Sequence, residues 1–463
     1  MGMKNIYKLK YLLYCYKYFV IAFIVFLSLV TSMKNIFSQN VEVGIVLPLF
    51  EDSDDPSKKQ LGTDILNGMK YALAEYGTSD PIVKYIIKDT KRDTSIGINS
   101  IRDLTVLDSV VCILGPIYSF ELNTAVADIA LVNKIPVISP TATEDDIAES
   151  HEYLFQLNPS YKMRGRLMAN FMIKEKGMKN FVVIAEDNYG IKFKNSFENE
   201  VKLLNGKIVL SSAYNKNAEN INGIVADILK LIKDNDLFIN VGNLNVIQRK
   251  KLENFGIRYS LVDSLAASKQ DVSIYYLFGK NAKKVADTMN IKPYQLKDTN
   301  GKFIQGYIDA IYIPISNSSE ISKIVPELYS NNLSFFIAGT GDWNNEDVLK
   351  ENKIFLKNLI FESEYFPDEE NSDYTNLKEG LKKTKYKLNK NFLFGYDAAR
   401  IILGIISEGN TTRAQIYNAL NKLVSYNAIK SKVSLDYNRV NSELNILTYE
   451  DGLKRVDTYK ISK

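Results

Sequence analysis

Hydroxyl-bearing residues follow two apolar runs of this sequence, at the point where each run ends. The run 110–114 is followed by Tyr118 and Ser119, and the run 135–138 is followed by the segment 139–143, SPTAT. Both runs are short and rich in β-branched residues, which predicts strands buried on both faces. If these strands are parallel, both loops lie at the sheet edge where open α/β sheets bind ligands. Hydroxyls and open backbone N–H groups there could hold a small polar ligand, although ordinary turns have a similar composition.

The elements that position these loops follow a regular alternation. Between the two runs, Leu122, Val126 and Ile129 recur at helical spacing, and the same exchange of apolar runs and amphipathic segments continues along the chain. This pattern predicts βαβ units, a parallel sheet and right-handed crossovers, so the expected fold class is doubly wound α/β. The predicted strands are 41–49, 82–87, 110–114, 135–138, 180–185, 207–212, 307–313, 334–338 and 358–366, and the predicted helices are 62–76, 95–107, 161–176, 191–204, 221–233, 320–330, 392–406 and one capped by Thr411, before a terminal hairpin at 432–447.

The first forty residues differ from the rest of the chain. Lysines precede an apolar run from Tyr18 to Val30, which is shorter than the roughly 20 residues that a membrane-spanning helix needs. We therefore interpret residues 1–38 as a signal peptide, with cleavage after Ser38, and an uncleaved N-terminal membrane anchor is the alternative. The leader holds five lysines and no acidic residue, so without it the formal net charge falls from +4 to −1. Such a balance gives no electrostatic case for nucleic acid as a partner.

Residue patterns typical of enzymes are weak in this sequence. The single histidine, His151, lies in a polar stretch without a nucleophile–base set around it. The segment 339–341, GTG, lacks the remaining glycine and the opening helix of a dinucleotide fingerprint. The acidic loop 52–55 reads as solvated rather than as a cation site, and Cys112 reads as a core residue. The sequence thus predicts a binding protein with no catalytic residue, cofactor or metal.

The strand–helix alternation breaks once, at residues 234–301. This stretch has amphipathic pieces but no clear βα order. An unstructured loop of that length is unusual inside a compact domain, so we expect a partly helical insertion.

Seven motifs, taken in order, resemble those of the type I periplasmic binding proteins, above all the branched-chain amino-acid binding proteins of ABC transporters. The motifs are VGIVLPL, ILGPIYS, IPVISPTAT, VIAEDNYG, DAIYIP, FIAGTGDW and FGYDAAR. The resemblance implies two Rossmann-like lobes, joined by a three-strand hinge, that close on a ligand in the cleft between them. The implied lobes are 41–158 plus 364–431, and 159–363 plus 432–463.

The resemblance also implies contacts for an amino-acid-like ligand. Ser119, the backbone at Ala142 and the Thr143 hydroxyl would take a carboxylate, since free N–H groups and helix N-termini favour an anion. Tyr189 would cover the ligand, and Asp342 would pair with its ammonium group, although one position later than in the family. Together with the strand ends, this gives as candidate ligand-binding residues Tyr118, Ser119, Ser139, Ala142, Thr143, Tyr189, Ser316, Asp342 and Trp343.

Two positions leave alternatives open. Ser316 stands where amino-acid binders place aromatic residues, and Trp343 is equally consistent with a cleft wall and with the core. The run DAIYIP followed by GTGDWN is similar to the penicillin-binding-protein-activator branch of the same fold. The expected partner is therefore an ABC permease, or in the alternative a peptidoglycan synthase, and the expected location is the periplasm or the outer face of the cytoplasmic membrane.

Overall fold

A computed structural model describes residues 40–77, 81–107, 109–297 and 305–461, together with Tyr16 and Thr299. The predicted leader 1–38 lies outside these residues except for Tyr16. The chain divides into two compact units, which we call unit one (up to 141, 150–155 and 384–422) and unit two (142–149, 156–383 and 423–463). Within the described ranges, no helix has both the length and the apolar character needed to cross a membrane.

The strands alternate with helices through most of the described chain. The strands are β1 (Asn40–Leu47), β2 (Ile82–Asp89), β3 (Val110–Leu114), β4 (Val137–Ser139), β5 (Leu154–Gln156), β6 (Asn180–Glu186), β7 (Lys207–Tyr214), β8 (Phe238–Asn240), β9 (Asp271–Ser273), β10 (Ala310–Ile313), β11 (Phe336–Gly339), β12 (Leu359–Ser363), β13 (Tyr426–Asn427), β14 (Lys432–Val433), β15 (Glu443–Tyr449) and β16 (Leu453–Lys460). The helices are Pro56–Tyr76, Thr94–Thr105, Thr124–Val132, Ile147–Ser150, Tyr161–Asn170, Tyr189–Leu203, Asn222–Asn235, Val246–Asn254, Tyr259–Ser268, Ile274–Phe278, Ala282–Thr288, Ile321–Ser330, Glu346–Glu351, Ser372–Leu381, Lys390–Ser407 and Arg413–Asn421.

Unit one is built on a five-stranded sheet of order β2-β1-β3-β4-β5. β1 pairs in parallel with β2 and β3, and β3 pairs in parallel with β4. All five residues of β3 are buried, as expected for a central parallel strand. The predicted doubly wound α/β class is therefore confirmed for this unit, and the loops after β3 and β4 leave the same edge of the sheet.

Two long helices of unit one pack with their backbones unusually close. A Cβ on Gly395 would lie 1.9 Å from the Ile65 carbonyl oxygen, and one on Gly68 would lie 2.0 Å from that of Phe392. Both glycines are thus required for the contact between helices 56–76 and 390–407. Thirteen of the eighteen residues of the second helix are buried, so this helix is largely enclosed within unit one.

The side chain of Arg413 connects the last helix of unit one to the backbone of three other segments. Its guanidinium donates to the backbone carbonyl oxygens of Val110 at 2.9 Å, Asn133 at 3.1 Å, Thr105 at 3.0 Å and Leu107 at 2.9 Å. These carbonyls come from three different segments, so one side chain ties helix 413–421 to the sheet and to its neighbouring loops.

Unit two is built on a seven-stranded sheet of order β16-β15-β12-β11-β10-β6-β7. The strands from β12 to β7 pair in parallel, and β15 and β16 complete the sheet as antiparallel strands. One face packs on a large apolar cluster that includes Ile311, Ile324 and Trp343. The carboxyl ends of β6, β10, β11 and β12 therefore share one edge.

The predicted insertion forms a small folded module within unit two. β8 and β9 pair in an antiparallel fashion, and four short helices surround a separate apolar core that includes Val241, Leu252 and Ile274. Asp236 holds the base of this module, because its Oδ1 accepts the amides of Gly306 at 3.0 Å and Tyr307 at 2.7 Å.

Some predicted boundaries are wrong. Helix 56–76 begins six residues before the prediction, because Asp55 caps it and Pro56 occupies its first turn. The cap of helix 413–421 is Thr412, which forms a capping box with Gln415, rather than Thr411. The expected hairpin 432–447 does not form, since β14 pairs with β13 and β15 pairs with β16.

The compact units also differ from the implied lobes. Residues 364–383 lie in unit two, where the Phe366 amide donates to the Lys430 carbonyl oxygen at 3.2 Å. Residues 142–149 and 156–158 lie in unit two as well, since the Gln156 amide donates to the carbonyl oxygen of Arg439 at 3.0 Å.

Candidate functional site

The strand-end edge of unit two brings Tyr189 and Asp342 together. The Tyr189 hydroxyl donates to Oδ2 of Asp342 at 2.9 Å, across 153 positions of sequence. Tyr189 opens the helix that follows β6, and Asp342 lies in the 3₁₀ turn 341–343 that follows β11. Both side chains are half-buried, so each is sheltered while part of it faces solvent.

The ring of Tyr189 is held by two other aromatic residues. Tyr161 meets it edge to face with centroids 5.5 Å apart, and Phe193 lies at 5.3 Å. Burial, followed by the nearby Asp342 charge, raises the pKa of Tyr189, so its phenol stays protonated at neutral pH. The preceding residue, Asn188, has φ of +60°, an uncommon value outside glycine that fixes how Tyr189 leaves the strand.

A buried ion cluster, which we call the triad, lies beneath the Asp342 turn. Arg164 Nη1 contacts Glu362 Oε2 at 2.7 Å and Glu364 Oε2 at 2.9 Å, and the three side chains are at most 8% exposed. Oε1 of Glu362 accepts the backbone amide of Gly341 at 3.0 Å. The triad therefore supports the turn directly.

The charges in the triad do not balance. Burial raises the pKa of Glu362 to about 7, and the charge of Glu364 adds to that effect, while Arg164 opposes it. Burial alone would lower the pKa of Arg164, but Glu362 and Glu364 outweigh it and raise that pKa. Asp342 adds a half-buried carboxylate above the triad, and a carboxylate there favours a cationic ligand.

Trp343 and Ser316 have structural partners within unit two. Trp343 is fully buried, and its indole N–H donates to the Ile313 carbonyl oxygen at 2.9 Å, so it belongs to the core rather than to a cleft wall. Ser316 donates its amide and its hydroxyl to the two oxygens of Glu186, both at 2.7 Å, and accepts from Lys216 at 2.9 Å.

The candidate residues at the strand ends of β3 and β4 fall on both units. Ser139 of unit one is fully buried and donates its hydroxyl to the Pro116 carbonyl oxygen at 2.7 Å, so it stabilises the loop after β3. Tyr118 and Ser119, also of unit one, begin a 3₁₀ turn and are half-buried.

Ala142 and Thr143 belong to unit two, and their carbonyl groups are occupied. The Ala142 oxygen accepts from Gln156 Nε2 at 3.2 Å, and the Thr143 oxygen accepts the Tyr161 amide at 3.0 Å. Thr143 is half-buried, whereas Ala142 is buried. The Thr143–Tyr161 bond connects this segment to the helix that also carries Arg164.

Sequence reasoning missed the triad. Glu362 lies in β12 after three apolar residues and Glu364 directly follows that strand, and charged residues in a buried segment are uncommon. That contrast was visible in the sequence. Arg164 gave no comparable indication, since it lies in a helix with several other basic residues and meets Glu362 across 198 positions. Within the described ranges, no group of three or more His, Cys, Asp or Glu residues could hold a metal ion.

The family model described as the receptor family ligand binding region matches residues 68–245. No curated protein matches the chain. The matched residues run from unit one into the module of unit two. They make up less than half of the sequence.

Solved structures match almost the whole chain at low identity. A putative branched-chain amino acid ABC transporter protein from Rhodospirillum rubrum is 14% identical with a TM-score of 0.63, covering 91% of this chain and 100% of its own. A substrate-binding protein from Desulfitobacterium hafniense in complex with Leu is 15% identical with a TM-score of 0.52, covering 90% and 100%. A solute-binding protein from R. palustris in complex with 4-hydroxybenzoate is 15% identical with a TM-score of 0.53, covering 92% and 98%. The chain therefore has the type I periplasmic-binding-protein fold.

Proposed function

We propose that this chain is an exported solute-binding protein that takes a small polar, amino-acid-like ligand for an ABC-type transporter. The observation that carries the proposal is the hydrogen bond between Tyr189 and Asp342 at the strand-end edge of unit two. A half-buried carboxylate held by a phenol, next to a turn supported by buried charges, is suited to an ammonium group. The ligand is bound rather than chemically transformed.

The proposal assigns the amino group of the ligand to Asp342. Hydrogen bonds to charged groups contribute about 1.5–3 kcal/mol each, so one ammonium–carboxylate contact would supply roughly a fifth to a third of the free energy of a micromolar affinity. Tyr189 orients the carboxylate, because its hydroxyl donates to Oδ2 of Asp342 at 2.9 Å. Ser119 and Thr143 remain the proposed partners of the ligand carboxylate, as the resemblance implies.

The solved structures support the class of ligand. Their names describe transporter substrate-binding proteins, one in complex with Leu and one with 4-hydroxybenzoate. Both ligands are small molecules with an acidic group, and one also carries an amine. An amino-acid-like solute therefore agrees both with the fold and with the charges near Asp342.

Thermal unfolding of residues 39–463 against a panel of L-amino acids tests the proposal. A ligand at one hundred times its Kd stabilises the folded protein by about 2.7 kcal/mol, which shifts the Tm by several degrees. Asp342→Asn should abolish that shift, and Asp287→Asn, at an exposed site of the module, should retain it. An equal shift in both variants would overturn the assignment of Asp342, and no shift with any amino acid would overturn the ligand class.

A second candidate is a non-enzymatic envelope regulator that binds a peptidoglycan synthase. The observation favouring it is the module at 237–297, whose Val246 and Ile247 are 79% and 70% exposed. Large exposed apolar side chains are common at protein interaction sites. Capture of a purified synthase by the wild type, and its loss in a Val246→Ser, Ile247→Ser variant, would support this function. Absence of capture by the wild type would count against it.

A further inference from the structure

Arg92 lies over two aromatic residues beside the loop that follows β3. The central carbon of its guanidinium is 4.5 Å from the ring centroid of Tyr118 and 5.9 Å from that of Phe120. The two rings stack on each other with centroids 5.5 Å apart. All three residues belong to unit one, and Ser119 separates the two rings in sequence. A positively charged, aromatic-backed surface therefore adjoins a residue assigned to the ligand.

The loop that presents Arg92 is held rigidly. Asp89 accepts four backbone amides, those of Leu49, Phe50, Glu51 and Lys91, at 2.8–3.1 Å. The Arg92 amide then donates to the Thr90 hydroxyl at 3.2 Å. The backbone at Arg92 is thus held by these hydrogen bonds, and the guanidinium itself is placed by its contacts with the two rings.

Two consecutive residues of this loop adopt left-handed backbone conformations. Lys91 has φ of +50° and Arg92 has φ of +57°. Each such residue other than glycine costs about 1–2 kcal/mol, whereas an exposed cation–π contact returns only about 0.5–1 kcal/mol. The stacking of Arg92 on Tyr118 therefore does not by itself offset the strain, and the backbone hydrogen bonds to Asp89 and Thr90 hold these conformations as well.

Among the described residues, the guanidinium of Arg92 also has no ion-pair partner. Lys91 pairs with Asp52 at 2.7 Å, but within the described ranges no carboxylate lies within 4.0 Å of the Arg92 guanidinium. Glu121 is the nearby buried acid: burial raises its pKa, and Arg92 acts on it only through a longer-range charge effect. An exposed guanidinium without an ion-pair partner can form two parallel hydrogen bonds with a carboxylate.

We infer that Arg92 selects ligands that carry a second carboxylate, so that the preferred solutes are acidic amino acids or closely similar amino dicarboxylates. This inference rests on the proposed function, because it takes Ser119 to be a ligand contact. The α-carboxylate then lies at Ser119, and the side-chain carboxylate lies on the guanidinium of Arg92. A branched-chain ligand would leave Arg92 unused.

Calorimetric titration with L-glutamate, L-glutamine and L-leucine tests the inference. Glutamate and glutamine have nearly the same shape and differ in the charge of one group. The wild type should bind glutamate at least tenfold more tightly than glutamine, since a charge-assisted pair is stronger than a neutral one. Arg92→Gln should remove this preference and change glutamine affinity by no more than about twofold.

Arg102→Gln is the matched control, because Arg102 lies on the next helix and its guanidinium donates to Asn99 of the same helix at 2.7 Å. It should keep the glutamate preference. Arg92→Lys should keep part of it, since a lysine retains the charge but not the planar pair of donors. Thermal unfolding of each variant without ligand shows whether the loop still folds.

The outcomes separate this inference from the proposed function. Binding of leucine or glutamine with no preference for glutamate overturns the role of Arg92 and leaves the solute-binding function standing. A glutamate preference that persists in Arg92→Gln also overturns it. Absence of binding by all three amino acids overturns the inference together with the amino-acid part of the proposed function.

Discussion

Glu362 holds the turn that carries Asp342 through the amide of Gly341. One carboxylate oxygen accepts that amide at 3.0 Å, and the other lies 2.7 Å from Arg164. A Cβ on Gly341 would come within 2.8 Å of Glu364 and 3.0 Å of Arg164, so the turn rests on the triad without room for a larger residue. The position of the proposed ammonium partner is therefore fixed by buried charges on two other elements.

The triad should make stability depend on pH. The pKa of Glu362 is about 7 in the folded protein and near 4.5 in the unfolded chain, so the folded state binds the proton more tightly. Its contribution to stability is fully present below about pH 4.5 and is lost as the pH rises through 7. As the pH rises through this range, we expect the free energy of unfolding of Glu362→Gln to increase relative to that of the wild type, by an amount on the order of 1–3 kcal/mol.

Urea unfolding at pH 5 and pH 8 measures this effect. The difference in the free energy of unfolding between Glu362→Gln and the wild type should grow with pH. Identical differences at the two pH values would show that Glu362 does not titrate in this range.

Removal of the Arg164 guanidinium should lower the stability of the protein more than any other single change at this edge. Arg164→Met leaves two buried carboxylates without their counter-ion, and breaking a buried pair typically costs 3–5 kcal/mol. Lys382→Met, also in unit two, removes an exposed lysine that pairs with the exposed Glu379 at 2.6 Å and should cost less than about 1 kcal/mol. The midpoints of urea unfolding of the two variants give the comparison. Similar midpoints would contradict the claim that Arg164 stabilises the fold as the counter-ion of the buried glutamates.

Tyr189→Phe should lower ligand affinity without unfolding the protein. The ring keeps its contacts with Tyr161 and Phe193, but Asp342 loses one donor, which should weaken ligand binding about tenfold because the carboxylate is less well oriented. Tyr276→Phe, at an exposed tyrosine, is the control. Titration with whichever amino acid shifts the Tm measures both, and an unchanged Kd in Tyr189→Phe would remove Tyr189 from the site.

Two glycine substitutions should change stability in opposite directions. Gly395→Ala places a methyl group 1.9 Å from the Ile65 carbonyl oxygen, and overpacking of this kind costs at least about 1–3 kcal/mol. Gly223→Ala meets no atom within 4 Å at the start of helix 222–235, so it should stabilise by up to about 1 kcal/mol. Thermal melts followed by circular dichroism distinguish the two, and equal Tm values would contradict the close helix contact.

Much of the fold was predictable because buried parallel strands are unbroken apolar runs. β3 has the predicted bounds 110–114, and its five residues are all buried. Boundaries in polar sequence were harder to place. Helix 56–76 starts in a lysine-rich stretch, where the cap at Asp55 and Pro56 decides the first turn rather than an apolar pattern.

The candidate site was less predictable than the fold. Tyr189 and Asp342 could be proposed because the motifs around them resemble those of the type I periplasmic binding proteins, which implies a ligand contact at each position. The side-chain directions could not be read from the sequence: Trp343 turns into the core, and Ser139 turns to Pro116. The triad depends on long-range packing of Arg164 against Glu362, which spacing along the chain does not encode.

The discontinuity of unit one has a consequence for the order in which the chain folds. Arg413 contacts Val110 across 303 positions, and helix 390–407 covers a helix near the start of the described chain. The ribosome delivers residues 156–383 before either of these late helices. The first sheet to be synthesised therefore lacks two of its covering helices until the chain has reached residue 421, and contacts of such high sequence separation form slowly.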